Sequence, residues 1–104
     1  MAAQLQHIGH RSGRTYFTSV AAHVGDDGVL IPLTFGNRSD WVRNVVAAGQ
    51  CVVRFNGTAY QAVQPQFLDA ADARPVVRAT FNPIERMGFR FLGIRQFMRL
   101  RVAN

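Results

Sequence analysis

The chain has 104 residues, of which 12 are basic and 6 acidic, and every basic residue is arginine. This length suits a single domain over residues 1–104 with one modest core. The formal charge of +6 favours anionic partners, namely nucleic acid, an anionic membrane surface or an acidic small molecule. Cys51 is the only cysteine, which excludes an internal disulfide and suits a cytoplasmic protein. The sequence shows no signal-peptide pattern and no apolar run of the about 20 residues that a transmembrane helix needs.

Alternating apolar residues predict strands over much of the chain. The Gly25-Asp26-Asp27-Gly28 turn joins the second and third predicted strands into a hairpin, and Asn56-Gly57 favours a type I′ hairpin between the fourth and fifth. The six predicted strands cover residues 5–8, 14–24, 29–33, 51–55, 58–63 and 96–102.

The alternation in one hairpin and in the last strand also predicts which side chains share a face. In the Asn56-Gly57 hairpin, the shared core face consists of Cys51, Val53, Phe55, Thr58, Tyr60 and Ala62. In the last strand, one side carries Met98, Leu100 and Val102, and the other carries Phe97, Arg99 and Arg101.

Helix signals are fewer. Ser39 as N-cap, Asp40 in the first turn and Gly49 after the last turn predict a helix over residues 40–48. A capping box at residues 82–85, with proline at the first helical position, predicts a second helix that stops at Gly93. A shorter helical turn is predicted from Pro75. The fold class that follows is mainly β, a six-stranded antiparallel barrel with a few short helices.

The loop from Gly9 to Arg14 is the first candidate binding segment. Two glycines frame His10, Arg11 and Ser12, so that backbone N–H groups, a hydroxyl and guanidinium groups lie close together. Such a loop can bind phosphate as an anion nest. The alternative is a solvated basic patch on the surface.

The segment over residues 34–44 is the second candidate. Trp41 and Asn44 lie three residues apart on the predicted helix and therefore project from the same side. One interpretation gives the tryptophan a cofactor ring or phosphate as its neighbour and the amide a hydrogen bond to the cofactor. The other gives Trp41 a packing role with Val45 and Ala48.

No residue is predicted to be catalytic. His7, His10 and His23 lack metal-ligand spacing, so no metal site is expected, and Cys51 is interpreted as a small buried apolar residue. The absence of an acid–base pair suits chemistry that a cofactor performs. Arginines alternate with aromatic residues at 89–91 and 97–101. That pattern suits either a nucleic-acid surface or a half-buried strand edge.

The order of these motifs resembles the deazaflavin (F420)-dependent nitroreductase family over residues 5–69. The motifs are a glycine-framed basic loop, a β-hairpin, a glycine-bearing turn, a Trp-x-x-Asn pair and a final hairpin. The resemblance implies a split β-barrel that binds coenzyme F420, an anionic cofactor. It also implies hydride transfer from the reduced deazaflavin to a small quinone, nitro compound or activated alkene.

The resemblance also assigns residues. It implies that the cofactor's phosphate and acidic tail are bound by His10, Arg11, Ser12 and Gly13, and that Arg14 continues this basic edge. It implies that the deazaflavin ring is lined by Thr34, Phe35 and Gly36, and that the Trp-x-x-Asn pair of the cofactor site is Trp41 and Asn44. His10 stands where the family has arginine. Three alternatives remain: a non-catalytic F420-binding module, an FMN-binding barrel and a basic nucleic-acid-binding barrel. Nucleic acid is not the expected partner, whereas a homodimer and peripheral membrane contact are compatible with the sequence.

Overall fold

The structure, a computed structural model, describes residues 2–25 and 28–103. These residues form one antiparallel sheet of seven strands with the order β2-β1-β5-β6-β7-β4-β3. The strands are β1 (Ala2–Ile8), β2 (Thr15–Ala21), β3 (His23–Gly25), β4 (Gly28–Pro32), β5 (Gln50–Phe55), β6 (Thr58–Asp69) and β7 (Gln96–Val102). The helices are α1 (Asp40–Ala48), α2 (Ala70–Thr80), α3 (Pro83–Phe91) and a short 3₁₀ helix over Gly36–Arg38. None of the helices in this described part is long and apolar enough to cross a membrane.

The sheet curls into a half-barrel because its two outermost strands are neighbours in the chain. β2 and β3 lie at opposite ends of the strand order, yet only Ala22 separates them. Ala22 is fully buried, and β2 pairs with β1 whereas β3 pairs with β4. The fold class predicted from the sequence is therefore confirmed. The strand count is corrected from six to seven, because the predicted strand 14–24 is divided at Ala22.

Both hairpins that the turn residues predict are present in the sheet, as the antiparallel pairs β3–β4 and β5–β6. Asn56 and Gly57 have φ values of 49° and 79°, both positive as a type I′ turn requires. Gly25 pairs with Gly28, and the two residues between them in the predicted turn lie outside the described residues. The first strand begins earlier than predicted, at Ala2, because the alternation of buried and exposed residues extends through the whole of β1.

The core lies on both sides of part of the sheet. The larger cluster fills the half-barrel and includes Leu5, Ile31, Val53, Met98 and Leu100. A smaller cluster lies between the sheet and helices α2 and α3, where its buried members are Leu30, Ala73, Phe81 and Phe97. All five residues of β4 are buried as a result. The two predicted sides of β7 are confirmed, because Met98 and Leu100 join the first cluster and Phe97 the second.

The predicted core face of the β5–β6 hairpin is confirmed for most of its members. Its residues pair directly across the two strands, as Cys51 with Ala62, Val53 with Tyr60, and Phe55 with Thr58. The first pair and Val53 are buried, Phe55 and Tyr60 pack partly against the core, and Thr58 beside the turn is exposed.

The helix boundaries follow their caps. α1 begins and ends as predicted, although Ser39 makes no side-chain capping bond. Asn82 and Glu85 form the predicted capping box at the start of α3. The helical turn predicted from Pro75 is wrong in its start, because Asp69 accepts a hydrogen bond from the Asp72 N–H and begins α2 at Ala70. Pro75 therefore lies inside this helix.

Candidate cofactor groove

The Gly9–Arg14 loop is the hairpin connection between β1 and β2. The Gly9 N–H donates to the Arg14 carbonyl at 2.8 Å, and the Gly13 N–H donates to the Gly9 carbonyl at 2.9 Å. A Cβ at Gly9 would lie 2.5 Å from Ser12 Oγ and 2.8 Å from the Tyr16 ring. A side chain at this position would therefore displace the side chains of Ser12 and Tyr16.

The tip of this loop has free hydrogen-bond donors. The backbone N–H groups of Arg11 and Ser12 make no hydrogen bond to any residue in the described ranges 2–25 and 28–103. Ser12 Oγ accepts from the Arg14 N–H and lies 3.2 Å from the Tyr16 hydroxyl. Two consecutive free N–H groups beside a guanidinium are an arrangement that accommodates an anion.

Helix α1 supports the loop through Asn44. The Asn44 side chain is 5% exposed, and its Oδ1 accepts from the His10 N–H at 3.0 Å and lies 2.7 Å from His10 Nδ1. Its Nδ2 lies 3.1 Å from Nδ1 of His7, which is also buried. The single amide therefore connects the loop tip to the interior of the hairpin.

These contacts define which ring nitrogens carry protons. A backbone N–H only donates, so Oδ1 of Asn44 must face His10, and His10 Nδ1 then donates to the same oxygen. Asn44 Nδ2 donates to His7 Nδ1, which leaves His7 Nε2 to donate to Thr18 Oγ1 at 2.9 Å. His7 is consequently neutral in this network. Burial lowers the pKa of His7, which stabilises the same neutral form.

A groove of about 560 Å³ opens over this network. Its volume falls within the range of about 300–1,000 Å³ that is usual for small-molecule sites. Arg11 and Arg43 supply two positive charges to its wall, and Asp40 supplies one negative charge. The lining residues are His7, Gly9, His10, Arg11, Ser12, Tyr16, Phe17, Thr18, Asp40, Trp41, Arg43 and Asn44.

The groove brings together half of the site residues predicted from the sequence. His10, Arg11 and Ser12 from the loop meet Trp41 and Asn44 from the helix. Trp41 is partly buried and packs against the larger core cluster, as the packing interpretation predicts, and it also lines the groove. Its predicted packing partner Val45 is fully buried, whereas Ala48 is exposed.

The remaining predicted residues lie outside the groove lining. Gly13 and Arg14 complete the loop on its β2 side and are exposed. Thr34 and Phe35 form the turn that leads into the 3₁₀ helix, and Gly36 is the first residue of that helix; the Gly36 N–H donates to the Leu33 carbonyl, and Phe35 is 84% exposed. The 3₁₀ helix is followed by Ser39 and then by α1, whose first residues, Asp40 and Trp41, line the groove.

Sequence reasoning missed three polar residues of the hairpin itself. His7 and Tyr16 are directly opposite in the β1–β2 register, and their rings stack with centroids 6.0 Å apart. Thr18 lies two residues after Tyr16 in β2 and therefore on the same face of the strand. A sequence signal was present, because His7 continues the buried alternation of Ala3 and Leu5 and is therefore a polar residue at a core position.

Cys51 has the structural role predicted for it. Its side chain is 3% exposed, and burial raises the pKa of the thiol to about 12. Within the described residues, no three His, Cys, Asp or Glu side chains come together in a way that could hold a metal ion.

Comparison with known structures defines the fold class as a split β-barrel. The chain resembles an F420-H2-dependent reductase, FDR-A, with a TM-score of 0.64 and 13% identity over 94% of this chain and 92% of that protein. It resembles HutZ, a heme storage protein from Vibrio cholerae, with a TM-score of 0.65 and 13% identity over 99% of this chain and 82% of HutZ.

A third similar structure is Atu2129 from Agrobacterium tumefaciens, a protein of unknown function, with a TM-score of 0.67 and 15% identity. This match covers 99% of the chain, but the chain spans only 48% of the length of Atu2129. No protein-family model and no curated protein matches the chain. At these identities the comparisons establish the shared fold.

Proposed function

We propose that this protein binds reduced coenzyme F420 in the groove between the β1–β2 loop and α1 and transfers a hydride to a small quinone, nitro compound or activated alkene. The observation that carries the proposal is the meeting of two distant sequence motifs. The loop residues Arg11 and Ser12 and the helix residues Trp41 and Asn44 line one groove, although they are separated in sequence. The fold shared with an F420-H2-dependent reductase supports the same proposal.

The residues of the groove suit the parts of an anionic, ring-bearing cofactor. A phosphate or carboxylate of the cofactor is proposed to be bound by the free N–H groups of Arg11 and Ser12 and by the Arg11 guanidinium. Trp41, which also lines the groove, offers a flat apolar surface. Thr34, Phe35 and Gly36 are proposed to approach the ring from the turn before α1, and Gly13 and Arg14 to extend the basic edge of the loop.

Asn44 is proposed to act by positioning the loop. Both lone pairs of its Oδ1 are used by His10, and one hydrogen of Nδ2 is used by His7. Only the second Nδ2 hydrogen remains for a ligand. When bound, the reduced deazaflavin supplies the hydride, so the protein's residues bind and orient the reactants.

The test is a set of equilibrium titrations of the purified chain with F420, FMN and hemin. Hemin is included because the heme storage protein HutZ has the same fold. We expect saturable binding of F420 with one site per chain and weaker binding of the other two. Binding of FMN or hemin without binding of F420 would overturn the cofactor assignment.

A second measurement separates a reductase from a non-catalytic binding module. Oxidation of F420H2 is followed by absorbance with and without a small quinone. We expect oxidation that depends on both the protein and the quinone. Tight F420 binding without any acceleration of this reaction would favour the storage or carrier alternative. The homodimer suggested by the family resemblance remains a proposal, and sedimentation of the F420-bound chain tests it.

A further inference from the structure

Helix α3 carries an apolar ridge that faces away from the core. Ile84, Met87 and Phe91 follow the helical spacing of one face and are 82%, 70% and 90% exposed, and Leu92 beside them is 59% exposed. No residue of α3 is buried, and only Phe89 packs inward, where its ring meets Phe81 edge-on. An exposed apolar stripe of this kind marks an interaction surface.

Arginines lie along one flank of this ridge. A cleft of about 770 Å³ separates α2 from α3, and its walls carry Arg74 and Arg78 on α2 and Arg86 and Arg90 on α3. No acidic residue lines this cleft. Each helix therefore presents two like charges four residues apart, a spacing that is unfavourable without an anionic partner.

The acidic residue of α3 is already engaged on the opposite flank. Glu85 Oε1 accepts from the Asn82 N–H at 3.1 Å as part of the capping box. The bond from the Asn82 backbone lowers the pKa of Glu85. Its carboxylate therefore serves the helix start and does not belong to the arginine cleft.

We propose that α3 and the α2–α3 cleft form a docking surface for a bilayer that contains anionic phospholipids. Ile84, Met87, Phe91 and Leu92 enter the boundary between head groups and acyl chains, and the arginines bind the phosphates above it. This combination of an exposed apolar face with adjacent cations is that of an interfacial amphipathic helix. The proposal does not depend on the bound cofactor.

Two other occupants fit the surface less well. A second copy of the chain would bring one arginine-lined surface against another, and this contact would be opposed by like-charge repulsion. A single-stranded nucleic acid would find phosphate-binding arginines and Phe91, but the aliphatic Ile84, Met87 and Leu92 offer no stacking surface for bases. A bilayer satisfies both the charge and the aliphatic side chains.

The test is flotation of the full chain, without cofactor, with two kinds of vesicle. One is phosphatidylcholine alone, and the other is phosphatidylcholine with phosphatidylglycerol in a two-to-one ratio. We expect binding to the anionic vesicles only. The double variant Ile84→Ser/Phe91→Ser should abolish it, and Arg86→Gln/Arg90→Gln should weaken it by about fivefold for each arginine.

The matched control is Val46→Ser/Arg54→Gln, which changes an exposed apolar residue of α1 and an exposed arginine of β5. This variant should float like the parent. All variants should unfold at nearly the parent temperature because the replaced side chains of Ile84 and Phe91 are largely exposed. Thermal unfolding therefore separates lost docking from lost folding.

Three results would overturn the proposal. The first is no binding to anionic vesicles, or binding that the α3 variants leave unchanged. The second is a dimer in sedimentation that Ile84→Ser/Phe91→Ser dissociates while no vesicle binds. The third is tight binding of a single-stranded oligonucleotide, lost in Arg86→Gln/Arg90→Gln, without vesicle binding. Because no arm contains F420, failure here leaves the proposed reductase function untouched.

Discussion

Asn44 binds His10 twice with one oxygen, accepting from the backbone N–H at 3.0 Å and from the ring nitrogen Nδ1 at 2.7 Å. The two residues lie 34 positions apart in sequence. This double contact holds the tip of the β1–β2 loop against α1, and both residues line the groove. The conformation of the candidate anion-binding loop thus depends on a buried residue of a different element.

Asn44→Ala should therefore affect both folding and ligand binding. The change leaves the buried Nδ1 of His7 without its donor, a loss that costs about 1–3 kcal/mol, and it removes both contacts to the exposed residue His10. We expect the free energy of unfolding, measured with denaturant, to fall by about this amount, and F420 binding to weaken with it. Asn37→Ala is the matched control, because Asn37 is exposed in the neighbouring 3₁₀ helix. Equal stability of the two variants would contradict the bonding network.

The pH dependence of stability should report on His7. Burial lowers its folded pKa below the ordinary value of 6.5, so the unfolded chain takes up the proton first as the pH falls. His7 consequently leaves the free energy of unfolding unchanged above about pH 6.5. Below that value, the free energy of unfolding decreases as the pH falls. Denaturant unfolding between neutral and mildly acidic pH measures the slope. His7→Gln should reduce it, and an unchanged slope would exclude His7 as its source.

Asn44→Asp should reverse the direction in which the titration of His7 makes the free energy of unfolding depend on pH. A carboxylate oxygen would then face His7 Nδ1 in place of the amide nitrogen, and it would favour the imidazolium. The folded pKa of His7 would rise above that of the unfolded chain. Its stabilising contribution would be present at acidic pH and lost as the pH rises through the folded pKa. An NMR titration of the His7 ring checks this, and a pKa that is unchanged or lowered would contradict it.

Arg11 should contribute more to cofactor binding than an arginine elsewhere on the surface. Hydrogen bonds from charged groups contribute about 1.5–3 kcal/mol, so we expect Arg11→Ala to weaken F420 binding by this amount at low salt. Arg54→Ala is the control, because Arg54 is exposed on β5 and bonds to Gln6 away from the groove. Similar affinities for F420 in both variants would show that the loop is only a basic surface.

Nucleic acid should bind weakly despite the positive charge. Each phosphate contact on a single strand makes the logarithm of the binding constant fall with the logarithm of salt by a slope of about 0.7. We expect a labelled single-stranded oligonucleotide to bind at low salt and to dissociate at physiological salt in a fluorescence anisotropy titration. A tight complex at physiological salt, together with no F420 binding, would favour the nucleic-acid-binding barrel.

Local chemistry allowed much of the fold to be predicted. Asn56-Gly57 has a turn geometry that its residue types favour, and the Asn82–Glu85 capping box depends only on residues within one helical turn. The alternation of Cys51 and Val53 likewise predicts their burial, because side chains on a strand alternate between faces. Errors arose where two local signals competed, as at Pro75, which resembles a helix start although Asp69 begins the helix earlier.

By itself, the sequence determined the strand faces, two of the three helices and the two candidate binding segments, because each depends on neighbouring residues. Only the tertiary structure decided that the chain crosses from one end of the sheet order to the other at Ala22, since this requires the whole sheet to curl. It also decided that Asn44 joins His10 to His7. Those contacts span 34 and 37 residues, and no local propensity encodes which buried polar groups will meet across such a distance.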